Sequence, residues 1–483
     1  MPESQPLRRY AASDVTRVLC AGARLDPAFA NKVIDLLVHN RQRFAAPAYG
    51  YDAVPVLGHA LHARTLRRLR TAALVVAVLL ILLLMFVTPL GLIGGVALIA
   101  WAAWTTIFLE RLAQLQAVVT QLRRPGPGGS GFTGDFPLSE ALPSYVANEI
   151  RVEQHVSNLV YYGGYLPFVG AGVRERDWKF SVLLDDIHLI NPLTGKDSGN
   201  GTTAAKFTVE ELTAYVQERL EQLLRPDSDG LEELVVSRCW YGKAVGTTRP
   251  LPSQSAQQLR EHGNAPGGYG TVREYLCARV GSWDQELVTS VFVNFDVKGR
   301  MLYTELNGYV LPPINPKFRL VDQMPNVVSG DILGRLAWHA TKSILGDLVG
   351  LPFAAIGAIY QLARPNKSDI AHDAEDLTRY ATDVLDYGAR TSVRELAAIS
   401  RYQHFFQEVD ATKYITIIER RLFEVVLDFL DSKNVDTREF RDRQAAVLNY
   451  GQIHTGTGDM VNNGAQAFGP NASATHLTPS NTH

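Results

Sequence analysis

Cysteine is scarce in this chain: three cysteines occur in 483 residues, at Cys20, Cys239 and Cys277. They lie far apart in the sequence and form none of the spacings that zinc or disulfide frameworks use. We therefore interpret them as reduced residues of a cytoplasmic region.

The common catalytic and metal-binding motifs are also missing. HExxH, GxSxG and CxxC do not occur, and the stretch that ends at Lys196 has Ile190 where a phosphate loop needs its first glycine. His59 and His62 have no third ligand nearby in the sequence. We predict no catalytic residue, no metal and no cofactor, and an adaptor, sensor or scaffold rather than an enzyme. Catalytic residues that are distant in the sequence and converge in space leave no local motif.

Charge is absent from one long stretch, residues 71–109, which holds 39 residues without Asp, Glu, Lys or Arg. A membrane span needs about 20 apolar residues, so the stretch is long enough for two short helices. Thr88-Pro89 and the glycines that follow predict a break near its middle. We predict a transmembrane helical hairpin with a helical extension over residues 71–122. A buried hairpin of a soluble core and a wedge that enters without crossing are the alternatives.

Basic residues flank the uncharged stretch on both sides. They are Arg64, Arg67, Arg68 and Arg70 before it, and Arg111, Arg123 and Arg124 after it. Since positive charge stays on the cytoplasmic side, we predict a multi-pass protein of the bacterial inner membrane with both termini cytoplasmic and the lipid bilayer as its partner. Gly91 and Gly95 have the spacing of closely packed membrane helices, which predicts a homo-oligomer.

Net charge is −2 for the whole chain, yet residues 1–70 hold 11 Lys and Arg against 5 Asp and Glu. The basic excess of this segment fits anionic lipid headgroups better than nucleic acid, which we do not expect as a partner. An unknown cytoplasmic protein is the further partner that we expect.

The remaining sequence predicts a membrane-anchored α+β fold. Strand patterns at 272–280, 286–296 and 301–311 with short turns predict an antiparallel sheet, and residues 373–448 have helical periodicity. The predicted segments are an N-terminal helical segment (1–70), the hairpin (71–122), a flexible linker (123–145), the α+β domain (146–328), an apolar helical segment (329–366), C-terminal helices (367–448) and a Gly/Asn-rich tail (449–483).

A glycine turn at residues 167–173, PFVGAGV, follows an apolar strand and is the most suggestive motif for binding. Backbone N–H groups in such a turn can approach a phosphate. We select Gly170 and Gly172 as candidate ligand-binding residues, with Arg174 and Arg176 as cationic partners. The turn resembles that of sirtuin-like NAD-consuming domains over about eight residues, but the Arg-Glu-Arg-Asp that follows departs from that pattern. A simple β-turn is the competing interpretation.

Two motifs carry a second resemblance. They are the Tyr162–Gly172 stretch with Trp178, and the Asp436–Glu439 stretch that leads to Arg443–Gly451. Together with the hairpin they resemble uncharacterised two-span membrane proteins of actinomycetes, which implies no known activity. The alternatives to an adaptor or sensor are a nucleotide- or NAD-binding domain at the glycine turn, and a membrane-permeabilising effector that oligomerises through the hairpin.

Overall fold

The computed structural model describes residues 10–87, 92–124, 131–136, 143–155, 158–185, 207–223, 234–246, 249, 272–324, 329–342, 385–399 and 402–450. Statements about structure refer to these residues. The predicted tail at 449–483, apart from its first two residues, and most of the apolar segment at 329–366 lie outside them.

Five helices form the N-terminal part: α1 (Asp14–Leu25), α2 (Pro27–Ile34), α3 (Ala53–Val87), α4 (Leu92–Gln121) and α5 (Ser144–His155). Ser13 caps α1 by accepting a hydrogen bond from the Thr16 N–H, and Asp26 caps α2 ahead of Pro27. The α1 and α2 helices pack on the first half of α3, where residues such as Val18, Ala30 and Leu57 are fully buried. This part is referred to below as the helical cluster.

A six-stranded mixed sheet forms the second part. Its strands are β1 (Leu159–Tyr162), β2 (Val173–Leu183), β3 (Leu234–Lys243), β5 (Arg273–Ser282), β6 (Leu287–Lys298) and β7 (Met301–Leu311), and β4 (Val245–Gly246) pairs separately with β8 (Leu385–Asp386). The order across the large sheet is β1-β3-β5-β6-β7-β2. All neighbours are antiparallel except β1 and β3, which run parallel.

The two faces of the sheet have different covers. On one face, Leu276, Val291 and Leu306 pack against α6 (Val209–Leu223) and a long C-terminal helix. The other face carries Tyr275, Cys277, Phe292 and Tyr309. Because side chains alternate along a strand, the β-branched and aliphatic residues at the intervening positions of β5 and β6 form the larger core.

The described residues of the C-terminal part include three helices, α7 (Val393–Ala397), α8 (Phe405–Ser432) and α9 (Arg438–Tyr450). The α8 helix is the long one that covers the sheet, with Ile415, Ile418 and Leu422 buried at helical spacing. The α7 helix is short, but it lies between the sheet and the helical cluster and positions the site described below.

The predicted transmembrane hairpin is wrong: no helix in the described part of the chain is long and apolar enough to cross a membrane. The α3 helix begins at Ala53, well before the uncharged stretch, and is described as far as Val87. The predicted break near Pro89 lies outside the described residues.

Three of the flanking arginines make contacts within the protein. Arg70 forms an ion pair with Glu110 of α4 at 2.6 Å, and Arg67 donates to the Ala63 carbonyl. Arg124 pairs with Asp322 at 3.4 Å. The predictions of a membrane-anchored fold, an inner-membrane location with both termini cytoplasmic, and a function as a membrane-bound adaptor or effector are corrected on the same finding.

Candidate functional site

The glycine turn folds onto the aromatic face of the sheet. Phe168 stacks on Phe292 with ring centroids 4.3 Å apart and meets the edges of Tyr241 and Tyr275. Gly170 and Gly172 have φ angles of +88° and +92°, a region that side chains disfavour. At Gly172 a Cβ atom would also lie 2.3 Å from the Val310 carbonyl oxygen, so only glycine fits there.

An anion does meet the two predicted N–H groups, and it belongs to the same chain. The N–H groups of Gly170 and Gly172 donate to Oε1 of Glu395 at 3.0 and 3.1 Å. The other oxygen of that carboxylate accepts from the Ser392 N–H at 2.7 Å as part of a capping box at α7. The turn therefore binds a carboxylate, as its geometry suggests, from a residue more than 200 positions away.

The two predicted cationic partners do not reach the turn. Arg174 is exposed and lies 3.6 Å from Asp177, and Arg176 donates from Nε to Glu419 of α8 at 2.8 Å. Trp178 donates to the same Glu419 oxygen at 2.6 Å. Arg176 therefore ties β2 to the helix that covers the opposite face.

Arg394, the neighbour of Glu395, is fully buried and anchors a second loop. It donates to the Tyr49 carbonyl at 3.4 Å and to the carbonyls of Gln285 and Glu286. Burial lowers the pKa of Arg394 to about 10, so it stays charged at neutral pH. Two adjacent side chains of α7 thus fix the glycine turn and the turn between β5 and β6.

The β5–β6 turn has an unusual backbone. Trp283, Asp284 and Gln285 have consecutive φ angles of +56°, +54° and +66°. Non-glycine residues in this region cost about 1–3 kcal/mol each and persist where the surroundings enforce them. The enforcing contacts are those of Arg394, together with a hydrogen bond of 3.1 Å from Trp283 Nε1 to Asp410.

A cavity of about 640 Å³ lies between this turn and the helical cluster. Tyr10, Ser13 and Asp14 line it from the start of α1, and Asp284 and Gln285 from the β5–β6 turn. The remaining lining residues are Gly50, Arg124, Leu234, Val235, Arg279 and Gly281. We call this space the Arg279 cavity.

Arg279 is the only cation on the sheet side of the cavity lining, and its guanidinium lies 4.1 Å from the centre of the Tyr49 ring. No carboxylate of the described residues lies within ion-pair distance of it. Burial lowers the pKa of Arg279, but the nearby Cys277, Tyr49 and Cys239 raise it by more, so the net shift is upward. By contrast, Asp14 is engaged by Arg17 at 2.7 Å and by Arg319 at 3.4 Å.

Two cysteines lie next to Arg279 on the same sheet face. Cys277 is buried and Cys239 is half-buried, and the Cys239 sulfur is 3.7 Å from the Ser237 hydroxyl. A hydrogen bond from Cys277 lowers the pKa of Cys239 to about 7 against the cost of burial, with smaller contributions from Ser237 and Arg279. The pKa of Cys277 is raised by the same hydrogen bond and by burial.

Sequence patterns indicate neither the Arg279 cavity nor the proximity of Cys239 and Cys277. The three cysteines were interpreted as separate because they are distant in sequence, and only the register of β3 on β5 brings two of them together. The described residues contain no group of three or more His, Cys, Asp or Glu side chains that could hold a metal ion. Of the helix-packing pair, Gly95 is buried and Gly91 lies outside the described residues.

Comparison with known proteins gives one match. A family model described as an AbeC-like domain matches residues 177–462, more than half of the chain. No curated protein and no solved structure matches. The match includes β3, β5 and the β5–β6 turn but not the helical cluster or the glycine turn, so the Arg279 cavity lies where the matched region meets the N-terminal part.

Proposed function

The chain belongs to the family of AbeC-like domains, and on that premise we propose that it is a binding module for a small organic anion held in the Arg279 cavity. The observation that carries this proposal is Arg279 itself, a cation in a cavity with no carboxylate partner among the described residues. Arg279 is half-buried. Taking a guanidinium partly out of water without a counter-ion is costly, and a bound anion would offset that cost.

The size and lining of the cavity suit such a ligand. Pockets for small molecules have volumes of roughly 300–1,000 Å³ and combine apolar surface with a few converging polar groups. Leu234 and Val235 supply aliphatic surface, and Tyr10 and Gln285 line the same space. A molecule with a carboxylate or phosphate and a short carbon body could contact Arg279, the aliphatic side chains and the polar residues of the cavity.

Guanidinium geometry favours these two anions in particular. The planar fork of arginine presents paired N–H groups that match carboxylate or phosphate oxygens. The ring of Tyr49 beneath Arg279 holds the plane of the fork in place. Arg124 also lines the cavity, but its charge is balanced by Asp322 at 3.4 Å and Asp14 at 3.8 Å.

Isothermal titration calorimetry on the full chain tests the proposal, with succinate and inorganic phosphate as separate probes in a phosphate-free buffer. We expect saturable binding of at least one probe, weakened tenfold or more in Arg279→Gln and less in Arg279→Lys. Arg420→Gln is the matched control, because it removes the same charge from an exposed position on α8 outside the cavity.

Two results would contradict the proposal. One is the absence of saturable heat with either probe at up to roughly 10 mM, where a Kd of 1 mM would already be evident. The other is equal binding by the Arg279→Gln and Arg420→Gln variants. A salt titration adds a check, since binding that depends on Arg279 weakens as ionic strength rises.

A further inference from the structure

The register of β3 on β5 brings two thiols onto one face of the sheet. Ser237 lies opposite Cys277, and Cys239 lies opposite Tyr275. Since directly opposed residues of an antiparallel pair share a face, Cys239 and Cys277 are diagonal neighbours across the two strands. Both belong to the same aromatic cluster.

The surroundings of the two thiols differ. Cys277 is 1% exposed, whereas Cys239 is half-buried. Hydrogen bonds from Cys277 and Ser237, together with the Arg279 charge, favour the thiolate of Cys239. Cys20 provides the contrast, because it is fully buried in the helical cluster and burial raises its pKa well above the usual value.

We propose that Cys239 is a peroxide-reactive thiol and that Cys277 is its resolving partner. The Cys239 thiolate attacks one oxygen of a hydroperoxide, a sulfur–oxygen bond forms, the oxygen–oxygen bond breaks, and the leaving oxide takes a proton to become water or an alcohol. The resulting sulfenic acid condenses with the Cys277 thiol, which forms the disulfide and releases water. Two thiols lose two electrons, and the hydroperoxide gains them. This proposal does not require that an anion bind in the cavity, although Arg279 contributes its charge to both sites.

Closing the disulfide requires a small shift of β3 along β5. Diagonal neighbours have Cα atoms about 7–8 Å apart, slightly beyond the usual range of disulfides. The β1 strand pairs only with residues 240–243 of β3, so the stretch that contains Ser237 and Cys239 is paired with β5 alone. A shift of that stretch therefore breaks its hydrogen bonds to β5 but not the β1 pairing.

Peptide mass spectrometry of the full chain tests the proposal. The reduced protein is treated with hydrogen peroxide, alkylated and digested with trypsin, which releases Cys239–Lys243 and Glu274–Arg279 as separate peptides. We expect these two peptides to become linked by a disulfide, while Cys20 remains a free thiol. Because Cys20 reports any unfolding, it serves as an internal control.

Two variants distinguish the oxidation of Cys239 from the formation of the disulfide. In Cys277→Ser the sulfenic acid at Cys239 should accumulate and be trapped by dimedone, and in Cys239→Ser Cys277 should stay reduced. Circular dichroism checks that both variants fold. The proposal is overturned if Cys239 reacts with peroxide no faster than Cys20, or if Cys277→Ser leaves the dimedone adduct at the wild-type level.

Discussion

His59 shows how one side chain can make the stability of the protein depend on pH. Its Nδ1 accepts a hydrogen bond of 2.9 Å from Arg24 Nε, which requires a neutral ring with its proton on Nε2. Burial lowers the pKa of His59 to about 3, and the positive charge of Arg24 adds to the shift. The unfolded chain, with an ordinary histidine pKa of about 6.5, therefore binds more protons than the folded protein at intermediate pH.

We predict that the free energy of unfolding falls as pH drops from about 6.5 toward 3, by up to ~1.4 kcal/mol per pH unit from this residue. His59→Asn keeps an acceptor near the Nδ1 position and removes the titration, so its stability should depend less steeply on pH. Urea unfolding at pH 7, 6 and 5 measures the difference. His339→Asn, at an exposed histidine, is the control, and equal pH slopes in the His59→Asn variant and the wild type would refute the prediction.

Residues that act together in the site are distant in sequence, and this limits what the sequence could predict. The sequence motif predicts ligand binding at Gly170 and Gly172, whereas in the structure their N–H groups donate to Glu395, a residue of the same chain. Arg279 was not selected at all, because its significance lies in the cavity and in the Tyr49 ring, not in any local motif.

At the element scale, local patterns predicted the central strands well. The strands β5, β6 and β7 begin and end within two residues of the predicted ranges 272–280, 286–296 and 301–311. Their alternation and the turn at Gly299 are local features, which explains the agreement. The parallel pairing of β1 with β3 links residues about 80 positions apart, and no local pattern specifies such a partner.

The α7 helix has only five residues, but its Glu395 holds the glycine turn. Glu395→Ala would leave the N–H groups of Gly170 and Gly172 without their acceptor. We expect a loss of roughly 2 kcal/mol or more in the free energy of unfolding, since these are hydrogen bonds to a charged group. Chemical denaturation gives the magnitude, and hydrogen exchange at the two glycine amides locates the change.

Glu424→Ala provides the comparison for that measurement. Glu424 forms an exposed ion pair with Arg421 on α8, at 2.7 Å, so its removal should cost no more than about 1 kcal/mol. If the two variants are equally stable, or if the glycine amides exchange at the wild-type rate in Glu395→Ala, the carboxylate does not hold the turn.

At the scale of the whole molecule, the cavity depends on a junction. The region matched by the AbeC-like domain supplies Arg279 and the β5–β6 turn, and the helical cluster supplies Tyr10 and Ser13. The uncharged stretch at residues 71–109, which α3 and α4 share, is the most prominent pattern in the sequence. It gives no information about this junction. Composition identifies apolar surface but does not specify what covers it.

We predict that two copies of the chain associate through the exposed side of α3. Leu69, Val76, Leu80 and Leu83 recur at helical spacing, and each is more than half exposed. A continuous apolar stripe of this kind is unusual on a monomer, and the same spacing pairs helices in coiled coils. The Gly91 and Gly95 pair led to the same expectation of a homo-oligomer.

Sedimentation velocity at several protein concentrations measures this association. The wild-type chain should sediment as a dimer or larger assembly, and the double variant Leu80→Glu/Leu83→Glu should shift toward the monomer, because burying two carboxylates at the contact is costly. Leu320→Glu alters a leucine that is also exposed but lies in the 3₁₀ helix Pro316–Gln323, so it should sediment like the wild type. A monomeric wild type, or a double variant that associates as strongly as the wild type, would show that a second copy does not cover this stripe.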